Sequence, residues 1–367
     1  MDGQKLGFVN ELSDDVNYRR DQEKLLKAAK KVTNNNFLDT LKYITTSFAH
    51  ENVDVEFALK IMLEPKADLI LKIELPIIEC NPKDELGFYV SWGDGIITHN
   101  EKKHIYKPVK ELTYFIIRIF GLGIHGFGSL FGSWWPDNDV ISLFYTSLTE
   151  VISFGHLGHT FTSLKHAFNY CMNLTSVPSV IPSTIKDVSY MFYGCHKFND
   201  CIGKWDTKNI TDMSYMLSDC KIFNQPLNSW NTSSVTAMNH MFFSCNEFNK
   251  PIGKWDVSNV TNMESMMANC WDFNQPLSSW NTRSVSNMRY MFYNCWDFNQ
   301  PIGSWNVKNV RIMSYMFAMC WSFNQSLLSW ETPNLEYKKH MLQLCKKYKQ
   351  PPSKYDEPND YVSKYEN

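Results

Sequence analysis

Four side chains that can ligate metal stand close together, His156, His159, His166 and Cys171. Structural zinc takes two ligand pairs at short, fixed spacings, and one His-x-x-His with a distant His and Cys does not supply them. These are expected to be surface or capping histidines. Gly121 to Gly126, GLGIHG, satisfies the glycine spacing of a dinucleotide loop and follows an apolar run. Phosphate binding there needs a helix to begin at the loop, and the continuation FGSLFGSWWPD does not read as one. The segment is taken as a glycine-rich connector. No Ser/His/Asp set, paired carboxylates in an apolar pocket or phosphate loop is visible, so no enzyme activity, cofactor or metal is expected.

Cysteine is the next reactive type. Cys195, Cys220, Cys245, Cys270, Cys295, Cys320 and Cys345 stand 25 residues apart, and Cys171 extends the series by a step of 24. Thiols in such a ladder point the same way, which disfavours disulfides, and they are read as buried small hydrophobes. No secretory signal is seen in the acidic opening MDGQKLGFVNELSDD, so a cytoplasmic location is expected, or a virion if the source is viral. Lys plus Arg number 36 against 38 for Asp plus Glu, which gives no basic surface for nucleic acid. The most apolar stretch, Thr113 to Gly132, holds Arg118, His125 and five Gly. It reads as a buried strand, 114–120, followed by a loop, and not as a membrane span.

The elements that must carry these columns form a repeat. Trp205 to Trp330, Phe198 to Phe323 and Met191 to Met341 all recur at 25 residues, and an Asn follows each of those Phe. Fourteen of the 17 Met lie from 191 to 341, so the repeat explains the composition. An uninterrupted period means one coil per unit, each burying its apolar face against its neighbours. The segment V-x-x-M-x-x-M-F-x-x-C has the apolar spacing of a short helical turn, and F-N-x-P-I is read as a parallel strand. The Asn column suits a ladder that satisfies turn backbone, and the Asp or Asn after each Trp suits an Asx turn. A period of 50 overlies the first: Ile-Gly at 202, 252 and 302 alternates with Leu at 227, 277 and 327.

One column departs from the pattern. The residue after each ladder Cys should face solvent, and it is His196, Lys221, Asn246 and Lys346 in four coils but Trp271, Trp296 and Trp321 in three consecutive ones. Such a strip, rimmed by Asp272 and Asp297, is read as a flat apolar contact patch for a protein partner, or as a surface covered by the chain's own tail.

The 25-residue unit M-F-x-x-C-x-x-F-N-x-P-I-x-x-W-[DN] resembles the BspA-like leucine-rich repeats, in the form abundant in mycoplasma surface proteins and some large DNA viruses. The resemblance spans 155–349 and implies an interaction role on a leucine-rich-repeat-type solenoid. Upstream, Val90-Ser-Trp-Gly-Asp-Gly95 followed by His104-x-Tyr106 resembles the polycystic-kidney-disease (PKD) type β-sandwich, in which Trp92 packs and Gly93 and Gly95 permit the turn. The expected architecture is α/β: a helical N-terminal segment (1–65), a PKD-like β-sandwich (66–122), a connector or solenoid N-cap (123–154), a solenoid of about seven 25-residue coils (155–349) and a polar tail (350–367). The expected function is a non-enzymatic interaction or scaffold protein. The alternatives are a minor capsid or surface component of a large DNA virus particle, with capsid or assembly proteins as partners, and an enzyme with its site in 122–160.

Overall fold

In Phe57–Leu63, β1, the buried Phe57, Leu59, Ile61 and Leu63 fall on every second residue, as a strand with one covered face requires. The computed structural model describes residues 57–64, 71–79, 88–121, 124–128, 143–155 and 161–350, all within one compact unit. The expected helices before residue 57, His156, His159 and the tail from 351 lie outside them. After β1 come β2 (Leu71–Glu74), β3 (Ile77–Glu79), β4 (Phe88–Ser91), β5 (Ile97–His99), β6 (Lys103–Tyr106), β7 (Thr113–Gly121), β8 (Ile124–Phe127), α1 (Leu143–Ser147) and β9 (Leu148–Phe154). A five-stranded sheet has the order β5-β4-β7-β1-β9, and β2-β6 and β3-β8 form two-stranded ribbons. Every pairing between these strands is antiparallel.

Trp92 is fully buried, and its indole N–H donates to Thr98 Oγ1 at 2.9 Å. The Tyr106 hydroxyl donates to the Trp92 carbonyl at 2.7 Å. Gly93 has φ +85°, and a side chain there would meet the Ile116 carbonyl at 2.7 Å, so glycine is required by both conformation and space.

From residue 161 the chain forms stacked coils that contain neither regular helix nor regular strand. Every second amide in one arc of each coil bonds within the coil, and the others bond to the next coil. In the arc at 215–220, Tyr215, Leu217 and Asp219 donate to Asn239, Met241 and Phe243 of the following coil, while Met216, Ser218 and Cys220 donate three residues back. The local bonds close four-residue turns whose third residue has positive φ at two columns. One column runs from His166 (φ 56°) through Tyr190, Tyr215, His240, Ser265, Tyr290 and Tyr315 to His340 (φ 57°). The other includes Gly194, Asp219, Asn269 and Asn294. A single parallel bridge links each coil to the next, from Ser163–Asp187 to Ile312–Tyr337.

These observations correct the α/β leucine-rich-repeat expectation. Among the described residues α1 is the one helix, and the sheets are antiparallel. The apolar steps of three and four that suggested a helical turn are met by successive β-turns, which return to the interior at Met216, Leu217 and Cys220. The Phe-Asn-x-Pro-Ile segment forms no strand, because its coil-to-coil bonding passes through Asn side chains. The sheet also extends beyond 66–122: β1 comes from the segment read as helical and β9 from the segment read as connector.

The GLGIHG segment does not build a phosphate loop. Gly121 ends β7, and Gly126 lies in β8, bridging in parallel to Ser163 of the first coil. Gly128, beside it, lies so close that a Cβ would stand 1.7 Å from the Lys165 carbonyl. Glycine here lets the ribbon edge meet the coil stack. Phe57 joins the two cores, stacking on Phe127 at 4.6 Å and on Phe168 of the first coil at 6.5 Å.

Candidate functional site

The interior of the stack is occupied by structural side chains. Phe198 and Phe223 stack at 5.9 Å, and Trp230 and Trp255 at 6.0 Å, each within 7° of parallel. Each described ladder thiol from Cys195 to Cys345 donates to a backbone carbonyl of the previous coil, as Cys270 does to Phe242 at 3.0 Å. The indole N–H of Trp255 does the same to Leu227 at 2.9 Å. Cysteine and tryptophan therefore fill space and satisfy carbonyls that the turns leave open. Burial raises the ladder thiols well above the ordinary cysteine range, which keeps them protonated as this donor role requires. The nine described cysteines are free, eight buried and Cys201 exposed.

Two of the four candidate metal ligands, His166 and Cys171, lie among the described residues, and both serve the stack. His166 packs flat on Tyr190 at 4.4 Å at the head of the column of turn residues, and Cys171 joins the buried thiols. Among the described residues no three His, Cys, Asp or Glu converge as metal ligands. No described helix is long and apolar enough to cross a membrane.

The tryptophan strip stands on the outside. Trp271 is 37% exposed, and Trp296 and Trp321 are half-buried, mostly under one another. Their rings stack face to face at 4.7 and 4.8 Å, both 2° from parallel. Lys346, in the same column of the next coil, closes the pile with its ammonium 4.3 Å from the Trp321 ring. The backbone sets this spacing. The Trp271, Trp296 and Trp321 carbonyls accept from the amides of Asp297, Ser322 and Lys347, each one coil on. Behind the rings, Trp296 Nε1 donates to Asn294 Oδ1 at 2.6 Å, and Asn294 donates to Asn269 Oδ1 at 2.9 Å. The flat patch expected from sequence is thus a pile seen edge-on: the ring faces are used within the strip, and the indole edges point outward.

A polar groove of about 460 Å³ runs beside the pile. One wall is Asp272, Asp297, Ser322 and Lys347, and the other is Asn249, Asn274, Asn299 and Asn324. The Asn wall is a ladder as expected: Asn274 Oδ1 accepts from the Asn299 amide at 3.0 Å and from the Gln300 side chain at 2.8 Å. The first wall is ordered by charge. It is acidic at Asp272 and Asp297, neutral at Ser322 and basic at Lys347.

Sequence reasoning missed a second aromatic column. His166, Tyr190, Tyr215 and His240 stack at 4.4, 4.3 and 4.2 Å, and Tyr290 and Tyr315 at 4.9 Å. Its signal was the Tyr or His directly before the repeated Met, at the same 25-residue step. Burial lowers both His166 and His240 to about 4, with Lys165 adding to the effect on His166.

The family model described as "Mycoplasma protein of unknown function, DUF285" matches residues 162–278 and again 261–364, over half of the chain. No curated protein and no solved structure matches it.

Proposed function

The chain belongs to the DUF285 family, and from that premise we propose that it is a non-enzymatic interaction protein whose coil stack presents one built contact face, the Trp271-Trp296-Trp321 strip and the groove beside it. The observation that carries this reading is positional. Other coils hold His196, Lys221 and Asn246 in the same column, so the stack does not need tryptophan there. Exposed, backbone-locked tryptophan is a rigid anchor of the kind that dominates binding energy at interfaces. Trp92 and its glycine turn support the PKD-type reading of the upstream domain, which in this proposal caps the stack and takes no ligand. The matched family is described from Mycoplasma, so the interaction role is taken forward and the virus-particle role is not.

The test is parallel affinity capture from the source cell with the wild-type chain and with Trp296→Ser. A protein held by the wild type and lost by the variant, while the variant still melts in one cooperative transition well above the capture temperature, supports the proposal. A partner retained by the folded variant overturns it.

A further inference from the structure

Deepening that reading, and resting on it for the claim that the strip is a contact face, we propose that the strip seats a second copy of this chain. The two stacks would lie face to face and antiparallel, on a two-fold axis midway between the coils of Trp296 and Trp321.

The first argument is commensurability. The rungs of the strip repeat at 4.7 and 4.8 Å. An extended peptide laid along them advances about 3.3 Å per residue and falls out of step within a few rungs. A second copy has the same rung spacing and stays in step over the whole strip.

The second argument is the order of charge. An isologous pairing places each residue against its symmetry-related position. With the axis between Trp296 and Trp321, Asp272 faces Lys347 of the second copy, Asp297 faces Ser322, Trp296 faces Trp321 and Trp271 faces Lys346. Both acidic rungs meet a neutral or basic one, and the contact occurs twice by symmetry. An axis through the Trp296 coil would instead set Asp297 against Asp297. The outward indole edges meet across the axis as apolar contact, and the charge pairing is carried by Asp272 with Lys347. The strip is short, three indoles spaced at 4.7 and 4.8 Å, so the pairing is weak, with a Kd on the order of 100 µM, and is weakened by salt.

Sedimentation equilibrium of the full chain between about 10 µM and 1 mM tests this. The wild type should show a reversible monomer–dimer equilibrium. Asp272→Lys, which sets lysine against Lys347 twice, should weaken it about tenfold at unchanged melting temperature. The double variant Asp272→Lys with Lys347→Asp should restore it to within about threefold. A monomer at every concentration, a dimer indifferent to Asp272→Lys, or no rescue by the exchange would each overturn the second-copy assignment. These experiments use purified protein alone, so their failure leaves the capture test of the interaction role standing.

Discussion

Trp255 and Trp271 carry the same side chain into opposite surroundings. Trp255 is 3% exposed, stacked on Trp230 and bonded to the Leu227 carbonyl, so Trp255→Ala should lower stability by about 3–5 kcal/mol. Trp271 offers one stacked face and open edges, and Trp271→Ala should cost about 1 kcal/mol. Paired denaturant melts check this, and equal losses would mean that the inner and outer columns have been interchanged. His166 and His240 make a second test at this scale. Their Nδ1 atoms are buried without a hydrogen-bond partner, and both rings are held neutral down to about pH 4. The unfolded chain takes up these protons near the ordinary value of about 6.5. The stability they contribute is therefore complete above that pH and falls as pH drops from 6.5 towards 4. His240→Tyr, which inserts the column's other residue, should flatten part of this slope in melts run across that range.

In the coil stack the elements are turns, not helices or strands, and that decides what could be read from sequence. The identity of the columns was legible, because burial repeats without insertion: Cys, Phe, Met and Trp fall inside, and the Asn and post-Trp Asx positions make the bonds their chemistry suggests, as in Asn249 N–H to Asn224 Oδ1 and Ser258 N–H to Asp256 Oδ1. The backbone between the columns was not. Apolar steps of three and four at Val188, Met191, Phe192 and Cys195 fit a helical turn and a chain of β-turns equally well. What separates the two is positive φ at Tyr190 and its equivalents, which bulky residues rarely adopt and no composition rule announces. β1 was hidden for another reason: the apolar Ala58 and Met62 blur the alternation of Phe57, Leu59, Ile61 and Leu63, and its partners β7 and β9 lie far along the chain. The strip's position was legible from the polar residues around it, whereas its edge-on pile depends on rung spacing. At the joint between sheet and stack, Gly128→Ala should separate the two, since no shift of a side chain clears backbone at 1.7 Å. Loss of a single cooperative melting transition in calorimetry would show it, and an unchanged transition would contradict the contact.

Over the whole molecule, thiol protection reports the integrity of the stack. In the native state a thiol reagent should modify Cys201 first among the nine described cysteines, and the eight buried ones should react only on unfolding. Rapid labelling of several ladder thiols in the folded chain would contradict the burial. The alternation at 50 residues has a structural cause that bears on the chain's history. A Cβ at Gly203 would clash with the Pro226 carbonyl, one at Gly253 would stand 2.6 Å from the Pro276 carbonyl, and Ser279 donates to the Gly253 carbonyl. Coils therefore come in two unlike kinds, and at 203 and 253 an Ile-Gly coil lies tight against the Leu coil that follows it. Removal of 252–276 would bring two Leu coils together, with Asn228 ahead of a Leu coil where Gly203 and Gly253 stand in the intact chain. Removal of 252–301 would rejoin Pro251 to an Ile-Gly coil and leave every contact matched. Gene-level recombination in quanta of two coils thus preserves these contacts, and a one-coil deletion should lower stability more than a two-coil deletion in denaturant melts.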